Sequence, residues 1–191
     1  MSWTPPDRTD HNYIRTISGK KFWPLNPRPE DVDITDIAQA LSLMCRYNGH
    51  LPYLYSVGQH SLNVYHRSGQ IWGLLHDATE AYLPDVPRPI KADLPFFQEI
   101  ERRLHTVIAQ AFQLDPGGVD LVKQADTEVL RWEYEWFRPK MIGADVLPPQ
   151  CPRPSGVILE HIHPATVQAR FLYEYIMAKG KKRHVETTEQ N

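Results

Sequence analysis

Four ionisable residues fall where helical spacing would place apolar side chains. They are His60, the adjacent pair His76-Asp77, and Asp126. Val57 precedes His60 by three positions and Val64 follows it by four, so the imidazole shares their apolar face. Asp126 shares a face with Val122 and Val129. A carboxylate buried without a partner costs several kcal/mol, so it pairs or coordinates a metal. Two histidines and two aspartates make a mixed N/O set that suits a borderline divalent ion: Zn, Co, Mn or Fe. Such an ion lowers the pKa of its water and polarises a phosphoryl oxygen. Glu80 is three residues past Asp77, about one turn on, where a general acid or base beside the ion would sit. Asp85 follows just beyond. Taken singly, His60 could be a satisfied core histidine and Asp126 an ion-pair partner of Lys123. The conjunction of all four favours a metal.

The elements that must position these groups read as helices. Ile37, Ala40, Leu41, Met44 and Cys45 mark one face of a helix over about 35–47, with Gly49 as its stop. Ser56-Val57-Gly58-Gln59 matches a capping box that opens the His60 helix. A third helix spans about 70–82 and carries His76, Asp77 and Glu80. Three prolines then break the pattern over 83–94. A long helix covers about 93–113. Asp115-Pro116 opens the Asp126 helix, which runs to about 137, and a last helix runs from 163-164 to Gly180. Ser18-Gly19, between Tyr13–Ile17 and Phe22–Leu25, signals a short N-terminal hairpin. The sum is an all-α bundle of about six helices in a single domain, 1–191. Its core spans about 18–178, the segments 1–12 and 180–191 are expected to be flexible, and 138–162 form a Pro-rich excursion.

Composition narrows the function classes. The chain has 191 residues, 41% hydrophobic, enough for one domain with a real core. A net charge of −2 argues against a nucleic-acid polymer held by a basic surface. Cys45 and Cys151 are the only cysteines and have no partners at ligand spacing, which excludes a Cys-rich zinc site. The N-terminus has no signal-type apolar run, and no stretch nears the ~20 apolar residues of a membrane span. A soluble cytoplasmic protein is the expectation.

The order H…HD…D, as His60, His76-Asp77 and Asp126, resembles the HD-domain phosphohydrolases. The segment Tyr55-Ser-Val-Gly-Gln-His-Ser61 resembles that family's first metal-His segment. The sixteen residues from His76 to Lys91, HDATEAYLPDVPRPIK, resemble the signature of YfbR-type 5′-deoxynucleotidases and of phage dATP triphosphohydrolases of the DatZ type. The likeness spans about 18–136. It implies an HD-domain helical bundle with a central metal held by His60, His76, Asp77 and Asp126. Glu80 would be the acid/base, Asp85 a second carboxylate near the attacked phosphate, and Arg46, at the end of the preceding helix, the phosphate grip. Lys91 stands where the family has a basic residue near the phosphates. Mg could serve as a second, phosphate-bound ion. A homo-oligomer, dimer or higher, is also implied. Tyr47 stands where the nucleotidases carry Trp, which bears on sugar and base choice. The segments Arg46–His50 and Phe22–Pro27 look closer to the phage triphosphohydrolases.

The substrate expectation is therefore a deoxynucleotide. Hydrolysis of a dATP-like triphosphate to nucleoside and triphosphate is favoured, with a 5′-deoxynucleotidase acting on dNMPs as the alternative. Arg46, Arg88, Lys91, Arg102 and Lys123 are the cations available for phosphates. His50, four residues past Arg46, is a candidate substrate contact. Trp23 could stack on a base or plug the hairpin onto the bundle. Glu160-His161-Ile162-His163 has ligand chemistry, but His163 precedes Pro164 and reads as a helix start. Glu133–Trp136 reads as an aromatic-rich subunit contact. An oxygenase with two irons would need further His and Asp ligands beside His76-Asp77. A non-catalytic nucleotide sensor would have lost Glu80 or Asp85.

Overall fold

Helical periodicity translates into helices. The computed structural model describes residues 3–141 and 155–188. Among the described residues it contains seven α-helices and one two-stranded antiparallel ribbon, so the fold is all-α. The ribbon pairs β1 (Ile14–Arg15) with β2 (Lys21–Phe22). Gly19 turns it with φ 84°, a conformation that favours glycine. Phe22 is fully buried and stacks on Tyr82, ring centroids 3.8 Å apart, which ties the ribbon to the bundle. Segment 3–12, read from sequence as flexible, lies along the ribbon. There Arg8 pairs with Asp31, and Trp23 Nε1 donates to the Thr9 carbonyl.

The helices are α1 (Ile34–Leu43), α2 (Val57–Ser68), α3 (Trp72–Leu75), α4 (Arg88–Lys91), α5 (Pro95–Ala111), α6 (Lys123–Met141) and α7 (Pro164–Thr188). The hub is α2, which packs on α1, α3, α6 and α7. Every residue from Val57 to Val64 is buried, including Gln59, His60, Ser61 and Asn63. Buried polar groups need partners. Gln59 Nε2 donates to the carbonyls of Ile158 and Glu160, and Asn63 exchanges two bonds with the Ile158 backbone. These contacts fasten the end of the Pro-rich excursion over α2. The rest of that excursion, 142–154 with Cys151, lies outside the described residues. The main core gathers around Ile37, Leu41, Leu74, Leu104 and Ile108, and a smaller one joins Tyr55, Phe137, Val157 and Leu159.

Several boundaries depart from the periodicity. The first helix ends at Leu43 and does not reach Tyr47. Met44 is extended, and a bridge between Cys45 and Ser56 takes over, with Arg46 N–H donating to the Tyr55 carbonyl and Val57 N–H to the Met44 carbonyl. The capping box is half formed. Ser56 accepts the Gln59 N–H, but the Gln59 side chain is spent on Ile158 and Glu160. The 70–82 helix breaks after Leu75, with Asp77 at φ −98°, and continues as a 3₁₀ turn over Ala78–Ala81. The Asp115-Pro116 start opens a 3₁₀ segment, Pro116–Val122, before α6 begins. The last helix passes Gly180 and runs to Thr188.

Gly73 permits a close helix approach. A Cβ there would stand 2.5 Å from Tyr65 Cα and 2.6 Å from Tyr65 N, so α3 lies directly against the α2 backbone. That contact brings His76 under His60. Gly73→Ala is expected to cost about 1–3 kcal/mol, the scale of overpacking a closed site, and to weaken divalent-ion binding as well. Urea unfolding and an ion titration check this. A variant with unchanged stability and ion affinity would show that the α2–α3 approach is not limiting.

Candidate metal centre

Three elements converge on one point. Helix α2 brings His60, the end of α3 brings His76, and α6 brings Asp126. One ligand atom from each lies within 4.8 Å of the others, a group that could hold a metal ion. His60 Nε2 is 3.0 Å from Asp126 Oδ1 and 3.3 Å from His76 Nε2. Asp77 flanks the group, its Oδ2 3.3 Å from His76 Nε2 and 3.9 Å from His60 Nε2. The opposite ring nitrogens are committed elsewhere. His76 Nδ1 is 2.9 Å from the Gly73 carbonyl, which only accepts, so Nδ1 carries the proton. His60 Nδ1 is 2.6 Å from Glu133 Oε1. Both Nε2 lone pairs are thereby directed at the cluster, because a bonded far nitrogen fixes the tautomer and orientation of a metal-binding histidine. The donor set fits a divalent ion: two imidazole nitrogens with carboxylate oxygens beside them.

The charges around the cluster are strongly perturbed. Burial raises the Asp126 carboxyl, but bonding to His60 and the charges of His60, His76 and Arg46 outweigh it and hold it well below the usual range. Burial and the Arg46 charge push His60 down. Glu133 and Asp126 prevail and lift it to about 9. His76 is lowered, by burial first and then by the His60 charge.

A cavity of about 620 Å³ opens beside the cluster, within the range of small-ligand sites. Asp77, Glu80, Asp85 and Asp126 line it, with Arg46, Tyr47, His50, Arg88 and Lys91. Glu80 lies in the 3₁₀ turn that Asp77 precedes, and both carboxylates line the cavity. Burial, then the charges of Asp77 and Asp85, push Glu80 up to about 9 against Arg46 and Lys91. At neutral pH it is a carboxylic acid. Its Oε2 is buried without a hydrogen-bond partner among the described residues.

Several sequence expectations are corrected. Arg46 is placed by the Cys45–Ser56 bridge and a tight turn, not by a helix end, and Tyr47 and Asn48 in that turn adopt left-handed φ values of 56° and 50°. Trp23 does not line the cavity. Arg8 covers its ring at 4.7 Å and Tyr13 packs beside it, so it serves the hairpin. Of the five phosphate cations considered, Lys123 pairs with Asp120 and Arg102 with Glu99, whereas Arg46, Arg88 and Lys91 line the cavity. In the Glu160–His163 run the expected helix start is found: α7 begins at Pro164 and His163 Nδ1 accepts the Ala165 N–H, while His161 bonds the Leu54 carbonyl.

In the Glu133–Trp136 segment Glu133 is buried, Glu135 and Trp136 are half-buried and Tyr134 is 56% exposed; Trp136 Nε1 donates to the Tyr53 hydroxyl. Glu133 is fully buried against His60, and the sequence reading missed it as a site residue. The signal was its spacing: seven residues past Asp126 is two helical turns, hence the same face.

Glu80 makes the metal-free chain pH-sensitive. Its folded pKa lies above its unfolded value of about 4.5. The stability it contributes is therefore complete below that value and is lost as pH rises toward 9. Glu80→Gln removes this loss and is expected to stabilise the chain at pH 8.5 by about 1–3 kcal/mol. Urea unfolding at pH 5 and pH 8.5 in chelator measures it. A variant no more stable than wild type at pH 8.5 would mean that Glu80 ionises normally.

No helix among the described residues is long and apolar enough to cross a membrane. No family model matches the chain. It is 36% identical to the uncharacterized protein RCAP_rcc00048 of Rhodobacter capsulatus, with 63% of this chain and 70% of that protein covered. It is 38% identical over 125 residues to the uncharacterized protein YfdR of Escherichia coli (strain K12), with 64% of this chain and 70% of YfdR covered. At that identity and coverage the chain belongs to the family of YfdR and RCAP_rcc00048.

Proposed function

We propose that the chain is a metal-dependent phosphohydrolase of the HD-domain type, acting on a deoxynucleotide. The observation that carries this reading is the junction of two unlike features. A His60–His76–Asp126 cluster, flanked by Asp77, adjoins a cavity lined by Asp77 and Asp126 together with Arg46, Arg88 and Lys91. Cations and carboxylates lining one cavity beside a candidate ion site suit a phosphate ester that bridges them. Zn, Co or Mn held by the cluster would lower the pKa of water and polarise a phosphoryl oxygen, with Mg as a candidate second, phosphate-bound ion.

The side chains supply the rest. Arg46 and Lys91 orient the phosphates as fixed donors. Asp85 accepts a proton from the attacking water. The water oxygen bonds to phosphorus as the P–O5′ bond breaks. Glu80, held as a carboxylic acid, gives its proton to the departing O5′. Nucleoside and the inorganic phosphate or triphosphate are released. Tyr47 and His50 line the same cavity and would meet the sugar or base.

A dATP-like triphosphate is the favoured substrate, because three cations line the cavity. The 5′-deoxynucleotidase reading also has support. Lys91 is bound to Glu101 and Arg46 to Glu133, so much of that charge is already balanced. The exposed apolar run Tyr173, Ile176 and Met177 on α7 supports assembly of two or more copies. A cytoplasmic nucleotide pool is the setting this reading implies.

Incubation of metal-loaded protein with dAMP and with dATP, with products identified, tests the proposal. Triphosphate and deoxyadenosine from dATP are expected. Free phosphate from dAMP with dATP untouched would establish the nucleotidase instead, and no turnover of any deoxynucleotide would overturn both. Glu80→Ala should lower kcat by about 10²–10⁴-fold, the scale of general acid catalysis, while ion affinity stays at the wild-type value. Full activity in that variant would remove Glu80 from the reaction.

A further inference from the structure

We propose that Glu133 is the positioning residue that couples the two halves of the site, fixing the ion ligand His60 with one oxygen and the phosphate-facing Arg46 with the other. The Arg46 half rests on the phosphohydrolase reading. The His60 half needs only the metal centre.

Glu133 is 0% exposed, and both its oxygens are doubly engaged. Oε1 accepts from His60 Nδ1 at 2.6 Å and from the Tyr55 hydroxyl at 2.8 Å. Oε2 accepts from Arg46 Nε at 3.2 Å and from the Tyr47 hydroxyl at 3.0 Å, with Arg46 Nη2 also at 3.2 Å. A buried carboxylate is tolerated only with such compensation. Donors from His60, Tyr55, Arg46 and Tyr47 converge on its two oxygens, so both edges act as acceptors.

Each edge has a consequence. On the Oε1 edge, an obligate acceptor keeps the proton on His60 Nδ1 and turns the Nε2 lone pair toward His76 and Asp126. On the Oε2 edge, Arg46 is gripped through Nε and Nη2. Its third nitrogen, Nη1, is left 3.7 Å from Asp77 Oδ2, at the cavity. Because one rigid carboxylate holds both, neither group can shift alone. A Gln of the same shape has one oxygen and one NH2. It must present a donor to a donor on one edge, either to His60 or to Arg46 and Tyr47.

A purely structural ion pair would affect stability alone. The coupling role affects ion and phosphate affinity in a chain that remains folded. The experiment uses the full chain as wild type, Glu133→Gln, Glu133→Asp and Glu128→Gln. Glu128 is a carboxylate on the same helix that pairs with Arg67 away from the cavity. Mn²⁺ affinity of chelator-stripped protein is measured by equilibrium dialysis. Affinity of the Mn²⁺-loaded protein for inorganic phosphate follows, and circular dichroism monitors folding.

Glu133→Gln is expected to bind Mn²⁺ about 10–100-fold more weakly, the range for losing the group that orients a metal-binding histidine. Phosphate binding should weaken about 10-fold or more, as for loss of a charge-assisted contact. Glu128→Gln should match wild type in both. Glu133→Asp keeps the charge but is one methylene short of spanning both edges. It should weaken at least one affinity about 5-fold, and it carries the test if the Gln variant does not fold. Folded Glu133 variants with wild-type affinities would overturn the proposal. If wild type itself binds no Mn²⁺, the metal centre fails first, which is a distinct result.

Discussion

Two imidazole nitrogens face each other across 3.3 Å at the centre of this bundle, and the rest of the structure accommodates that approach. With His76 Nδ1 bonded to a carbonyl and His60 Nδ1 to a carboxylate, both Nε2 atoms present lone pairs to the same point. Lone pairs at that distance repel unless positive charge lies between or beside them. In the metal-free chain a proton on His60 serves, favoured by Glu133 and Asp126, which lift His60 to about 9, while burial and the His60 charge push His76 down. A divalent cation would replace that proton with twice the charge, drawn in by Asp126 and Asp77. An ion bound there would compete with that proton for one position and release it.

Local geometry yields to this demand. An uninterrupted helix over 70–82 would satisfy the apolar periodicity. The chain instead stops α3 at Leu75 and tightens into a 3₁₀ turn, and Asp77 and Glu80 both line the cavity. Gly73 allows α3 to touch the α2 backbone. The first helix likewise ends early, because Met44–Arg46 pair with the strand-like Tyr55–Val57 before α2. That bridge delivers Arg46 and Tyr47 to the cavity from the side. In each case a tertiary contact overrides local propensity, the usual outcome where a chain holds polar groups inside a core.

This pattern explains what could be read from the sequence. His60 and Asp126 were legible because a charged residue on an apolar helical face is anomalous by itself. The ribbon was legible because Ser18-Gly19 has one ready conformation. The α3 break was not, because α and 3₁₀ geometry place i and i+3 on nearly the same side, and the apolar pattern fits both. The helix expected to reach Tyr47 stops short for a related reason. Met44 and Cys45 are apolar enough to extend the stripe, and only their partners at 55–57 show otherwise. Glu133 sat in plain sight two turns past Asp126, but the aromatic residues around it resembled a surface contact. Trp136 in fact packs against the second core, whose Tyr55 bonds Glu133, while Tyr134 stays exposed. Trp23 was ambiguous because an indole beside a Gly turn packs equally well on a base or on a neighbouring Arg.

Charge balance in the cavity explains why its cations do not collapse onto its anions. Arg46 and Lys91 stand near Asp77, Glu80 and Asp85, yet each is bound from behind, by Glu133 and by Glu101. Fixed dipoles and charges held by the protein need no reorganisation when an anion arrives. Arg88 is the contrasting case. It is 78% exposed, sits on the short α4, and reaches Asp126 Oδ2 only at 3.7 Å. An ion at Asp126 would repel it and leave its guanidinium for a phosphate. Tyr47 belongs to the fixed set. Its hydroxyl is tied to Glu133 Oε2, so the ring orientation is settled before any sugar enters. An indole at that position would carry its N–H elsewhere on the ring and could not make the same bond. The carboxylate that sets His60 and Arg46 therefore also sets the aromatic surface against which a nucleoside would be sorted.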